Sequence, residues 1–263
     1  MRGRGAVLVL SAVFALWPFA ITAQQGADRL SDKEVKALIE QVEDHRSEFH
    51  DNLDNDVKRS KLRGPNGETD VSAFLDDYKD NVNKLKDRFK GEYSASAELA
   101  TVLRQATTID RFMRGNPGIS KGRSEWVREA ASLKALAAAY ATTFPTPDDA
   151  PVRRINDKET AASAQAVADA VGRIKDALGK VATLAKPDRQ AAEKDAEALK
   201  KTAETLRSRT SDGKPASAEF RQLVGQIANM QKFLDAHPVP EAMSSWTTVQ
   251  TELTKLRQAF NAQ

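Results

Sequence analysis

The sequence predicts an all-α protein made of two tandem, internally duplicated four-helix bundles of up-down type, joined by a proline-rich linker. Three observations carry that expectation. Apolar residues recur at three- and four-residue spacing through most of the chain, against a background of 29% charged and only 6% aromatic residues, a helix-leaning balance. The stretch opening Ser96-Ala97-Glu98-Leu99 returns 121 residues later as Ser217-Ala218-Glu219-Phe220. Pro145, Pro147 and Pro151 interrupt the helical pattern midway, where they stop any helix and stiffen a short connection.

At the N-terminus, Arg2 and Arg4 precede an apolar run from Ala6 to Phe19, followed by Ile21-Thr22-Ala23. This reads as a secretory signal peptide over residues 1–23, cut after Ala23. Pro18 argues against a long anchoring helix, although an uncleaved N-terminal anchor is the alternative. Export to the periplasm or the extracellular space follows, with no membrane span left after cleavage. The chain has no Cys, so an exported form folds without disulfides. Thiol catalysis, c-type haem attachment and Cys-ligated zinc are excluded with it.

The first copy is assigned to residues 24–144, with helices expected at about 31–61, 69–91, 95–114 and 122–143. Gly64-Pro65-Asn66-Gly67, Gly91 to Ser94 and Gly115-Asn116-Pro117-Gly118 supply the breaks. The linker occupies 145–154. The second copy, 155–263, is expected to carry helices at about 156–185, 188–210, 216–236 and 240–261. Lys186-Pro187, Ser211 to Pro215 and His237-Pro238 separate them. Short connections between long helices favour antiparallel neighbours, hence bundles.

The duplication extends beyond its opening tetrapeptide. At the 121-residue offset Val102, Ala106, Ile109 and Phe112 face Leu223, Ile227, Met230 and Phe233. After a one-residue slip Trp126 pairs with Trp246 and Leu133 with Leu253. Leu30-Ser31-Asp32-Lys33-Glu34 resembles Ile155-Asn156-Asp157-Lys158-Glu159, each a helix start with an N-cap and acidic first turn. Trp126 and Trp246 are therefore expected to be repeat-equivalent core anchors.

Chemistry-bearing motifs are sparse. None of the three histidines, His45, His50 and His237, has Glu three residues before it, as a carboxylate-bridged di-iron bundle requires. Gly-x-Ser-x-Gly, His-Glu-x-x-His and phosphate-binding glycine loops are absent from the sequence. No catalytic residue, metal or cofactor is assigned. A haem held by His237 and Met243 finds no counterpart in the first copy. One oddity remains: an offset of 125 aligns Val42, Phe49 and Leu53 with Val167, Ile174 and Leu178, but sets Arg46 against Val171 and Asp56 against Val181. A buried charge needs a partner, and Asp76, Asp77 or Asp80 is expected to answer Arg46. With His45 these residues would form a polar core in the first bundle. The preferred reading is the plainer one, in which the first helix rotates or outruns the bundle and leaves both charges in water. Lys58, Arg59, Lys61 and Arg63 are expected at the end of the first helix, where positive charge suits the dipole.

Loss of Arg2 and Arg4 leaves 38 basic against 37 acidic residues, so the basic character belongs to the leader and nucleic acid is a poor partner. Residues 24–150 carry net −3 and residues 151–263 net +4, a complementarity that could hold the halves together and that salt would screen. The functional expectation is a non-enzymatic extracytoplasmic interaction module that contacts an envelope protein or another copy of itself. The alternative is a small-ligand, metal or haem binder using the polar core of the first bundle.

Overall fold

In the computed structural model, residues 29–64 and 67–262 are described, and the expected signal peptide lies outside them. The protein is all-α in class. Among the described residues are nine helices and a single two-stranded antiparallel sheet. In the first half these are α1 (Asp32–Asn52), the single turn α2 (Asn55–Lys58), α3 (Val71–Arg88), α4 (Ser96–Gly115) and α5 (Arg123–Ala139). Strands β1 (Lys61–Gly64) and β2 (Gly67–Asp70) lie between α2 and α3. The second half contains α6 (Asp157–Lys180), α7 (Lys186–Ser211), α8 (Ser217–Ala236) and α9 (Pro240–Ala259).

The expected first helix, 31–61, is the main departure. It stops at Asn52, where Leu53 adopts an extended backbone. The run Asp51-Asn52-Leu53-Asp54-Asn55-Asp56 is poor helix material, because short polar side chains compete for backbone hydrogen bonds. Asn52 does so, its Nδ2 donating to the Glu48 carbonyl at 2.9 Å. The corner is also fitted to its surroundings: Gly122 has φ +79°, and a Cβ there would meet Leu53 and Phe49 at 3.3–3.4 Å. Beyond α2 the chain forms the hairpin, with Gly64 opposite Gly67 and Leu62 buried beneath it. Lys58 and Arg59 consequently close α2 rather than α1, and Lys61 pairs with Asp70 across the hairpin at 2.7 Å. The expected basic end of the first helix is thus split between a separate turn and a strand.

The other helices differ from expectation only at their ends. Apolar faces draw them into two buried clusters, one built from residues 35–140 and the other from 164–256. In the first, α1 packs against α3 and α5, α3 against α4, and α4 against α5. In the second, α6 packs against α7 and α9, and α7 against α8. Ala164, Ala168, Ala192, Ala196 and Ala203 are buried in the second cluster, so small side chains line α6 and α7 where the two meet.

Helix ends match across the halves. Both α5 and α9 finish with a left-handed residue, Ala141 at φ 53° and Asn261 at φ 50°. Thr142 N donates to the Ala137 carbonyl and Ala262 N to the Arg257 carbonyl, at 3.1 and 2.9 Å, a Schellman closure in each case.

Candidate functional site

The most heavily built polar site lies where the two halves meet. Both α1 and α6 begin with a capping box. Ser31 Oγ accepts from Glu34 N while Glu34 Oε2 accepts from Ser31 N. Asn156 Oδ1 accepts from Glu159 N while Glu159 Oε2 accepts from Asn156 N. The residue after each cap then reaches to the other helix. Asp32 N donates to Asp157 Oδ2 at 2.8 Å, and Asp157 N donates to Asp32 Oδ2 at 2.9 Å. Each carboxylate therefore sits at two helix N-termini, where negative charge is favoured.

Two arginines complete the exchange. Arg29 donates to Asp157 Oδ1 at 2.5 Å and to the Ile155 carbonyl at 2.9 Å. Arg154 donates to Asp32 Oδ1 at 2.8 Å and to the Leu30 carbonyl at 2.7 Å. The guanidinium side chains are 6% and 2% exposed, so these pairs are shielded from water and salt. Burial, then the neighbouring Arg154 charge, pulls the Arg29 pKa below its ordinary value. Arg29 also lies 5.7 Å from the Phe260 ring centroid, and Phe260 stacks on Phe220 at 4.4 Å.

Beside this knot runs an open groove of about 770 Å³. Tyr140, Ala141, Pro151 and Ile155 contribute its apolar wall, and Arg153, Arg154 and Arg257 its charge. Arg154 is committed to Asp32. Arg153 and Arg257 are exposed and have no carboxylate partner among the described residues.

A second polar feature is enclosed in the first cluster. Arg46 on α1, Tyr78 on α3 and Glu129 on α5 are all buried. The Tyr78 hydroxyl donates to Glu129 Oε1 at 2.7 Å. Among the described residues Glu129 Oε2 and Arg46 Nε have no hydrogen-bond partner, and Arg46 Nη2 donates to Ser47 Oγ at 3.0 Å. Desolvation pushes the Glu129 carboxyl up to about 8, against the opposing pull of the Tyr78 hydrogen bond and the Arg46 charge. Burial likewise raises the Tyr78 phenol, with the Glu129 charge adding to it. At offsets of 125, 121 and 120 the second half has Val171, Leu199 and Val249, all buried. An apolar trio there stands where the first half has a polar one.

The polar core expected from His45, Arg46 and Asp56 is therefore differently composed. Arg46 is inside, so the preferred reading that left it in water does not hold. The buried acid whose titration feels Arg46 is Glu129, while Asp76, Asp77 and Asp80 are all exposed. His45 is half-buried with Nδ1 3.1 Å from Ser132 Oγ. Asp56 is exposed on α2, where the helix break has carried it out of the α1 seam, and it lines a separate cleft of about 520 Å³ with Arg111 and Phe112. Trp126 and Trp246 are both buried. The Trp126 indole N–H donates to Asp110 Oδ1 at 3.2 Å and that of Trp246 to Gln231 Oε1 at 2.6 Å, acceptors that are themselves 121 residues apart. His237 lies 4.9 Å from the Phe233 ring, whereas Met243 is exposed.

Sequence reasoning missed Arg29, Arg154, Tyr78 and Glu129. The signal for the arginines was adjacent to one already read: each precedes a matched helix start by two residues. Glu129 stands opposite Val249 in the register that pairs the tryptophans. No group of three or more metal-binding side chains occurs among the described residues. Nor is any described helix long and apolar enough to cross a membrane. Comparison of the chain with protein-family models, curated proteins and solved structures found no match.

Proposed function

We propose that this protein is an exported, non-enzymatic helical interaction module, built as two tandem copies of one four-helix up-down bundle. The partner, an envelope protein or a second copy, seats in the groove at the junction. The duplication is supported by the paired capping boxes, the paired Schellman closures and the matched indole hydrogen bonds, all recurring at nearly one offset. The observation that carries the functional reading is the groove itself. It is open, and it runs alongside a buried exchange of ion pairs that holds its two walls in one relation. A preformed concave surface has less to order on binding.

The alternative, a small-ligand, metal or haem binder, would use Arg46 and Glu129 rather than His45 and Asp56. It is favoured by the two unpaired polar atoms in that core.

A photo-crosslinking residue at Gln258, on the groove, tests the leading reading in cells of the native host. Controls at Val127 and Lys201 sit on exposed faces of α5 and α7. Crosslinks to one partner from Gln258 alone support the groove. Crosslinks from the controls alone, or from none of the three positions, count against it.

A further inference from the structure

We infer that the groove recognises an acidic, extended peptide segment of a partner protein, an inference that rests on the interaction-module reading above. Charge complementarity is the argument. Arg153 leaves the linker and Arg257 leaves the last turn of α9, so two exposed guanidinium groups from distant parts of the sequence share one groove. The residues lining it include no Asp or Glu. Unpaired guanidinium groups of this kind match carboxylates through two parallel N–H donors each.

The rest of the lining narrows the choice. Ala138, Ala141, Pro151 and Ile155 present small apolar surface, suited to short aliphatic side chains placed between carboxylates. Ser96 and Gln258 add side-chain hydrogen-bonding groups to the lining, and Asn261 its amide oxygen beside the bond from Nδ2 to the Ala138 carbonyl, where an extended backbone has free N–H and C=O groups to satisfy. A concave site between two helix ends admits a single chain in extended form, whereas a flat lipid surface or a nucleic-acid duplex would meet only its rim.

The test uses the purified protein and three fluorescein-labelled decapeptides of alternating Ala and charged or polar residues, read by anisotropy. One carries Glu, one Gln and one Lys. The Glu peptide is expected to bind at least about tenfold more tightly than the other two, with affinity falling as salt rises. Arg153→Glu with Arg257→Glu is expected to remove that preference, whereas Arg207→Glu with Arg221→Glu, exposed on α7 and α8, leaves it intact. Circular dichroism of both variants checks that the helices remain. Equal binding of the Glu and Gln peptides overturns the proposal. So does loss of binding in the Arg207/Arg221 variant alone, or self-association abolished by the groove variant without peptide binding, which makes a second copy the occupant. A partner crosslinked from Gln258 but indifferent to the Arg153/Arg257 reversal overturns only the acidic chemistry. Absence of groove crosslinks overturns the module reading itself.

Discussion

Asp32 and Asp157 exchange hydrogen bonds, the carboxylate of each accepting from the backbone N–H of the other. Residue i meeting j while j meets i is the pattern of an isologous, two-fold interface, here formed within one chain. Arg29 and Arg154 obey the same rule, each bonding the other half's aspartate and the carbonyl two residues before it.

The exchange predicts equivalence and coupling. Asp32→Asn and Asp157→Asn should each lower unfolding stability by about 1–3 kcal/mol, since each leaves a buried guanidinium short of its charge partner. The double variant should deviate from additivity by about 0.5 kcal/mol or more in denaturant titrations. Strict additivity would mean that the two halves of the exchange act independently.

Salt should not separate the halves. The opposite net charges of the two halves suggest a screened attraction, but the arginine–aspartate contacts at the knot are desolvated pairs, and Lys158–Glu92 and Asn261–Ala138 lie at the surface. Small-angle scattering in low salt and in about 1 M salt should return the same radius of gyration, because a short Debye length hardly affects buried pairs. Expansion at high salt would restore the long-range account.

The polar trio should behave as a unit. Arg46→Leu takes the positive charge away from beside the largely protonated Glu129, and Glu129→Leu leaves the Tyr78 hydroxyl and the Arg46 guanidinium without their buried acceptor, so each single variant should cost about 1–3 kcal/mol. Arg46→Val, Tyr78→Leu and Glu129→Val together reproduce the second half's Val171, Leu199 and Val249, and should recover most of that loss. A triple variant less stable than either single one, by calorimetry, would show that the backbone of the first half cannot accept the apolar set.

Glu129 makes stability depend on pH. Its carboxyl titrates near 8 when folded and in the ordinary range near 4.3 when unfolded. The folded state therefore binds more protons, and stability falls as pH rises through the window from about 4.5 to about 8. Glu129→Gln should flatten that part of the curve, seen as a smaller change in denaturation midpoint between its two ends. An unchanged slope would assign the titration elsewhere.

One helix start is open to improvement. Ala185 precedes α7 with an extended backbone, φ −59° and ψ 140°, but offers no side-chain acceptor. Ser31 and Asn156 hold comparable angles and do cap their helices. Since Ala185 is exposed and Pro187 has no N–H to satisfy, Ala185→Asp should cap the Asp188 N–H and raise stability by about 0.5–1 kcal/mol. A melting temperature that falls instead would point to repulsion from the Asp188 carboxylate.

Much of this protein was legible in its sequence because helices announce themselves locally. Three- and four-residue apolar spacing located the long helices, and Ser31-Asp32-Lys33-Glu34 and Asn156-Asp157-Lys158-Glu159 marked where two of them begin, since a capping box is closed within four residues. Arg46 stood out as a charge in an apolar register for the same reason. The break at Leu53 was written in the Asp- and Asn-rich run, but apolar spacing outweighed it, and Asp56 was misplaced as a result. What only the tertiary structure decided is who meets whom. Glu129 answers Arg46 because α5 packs beside α1, whereas the aspartates of α3 point to water. Asp32 finds Asp157 because two helix N-termini converge, an arrangement that depends on how separate helices pack and that no local run of residues encodes.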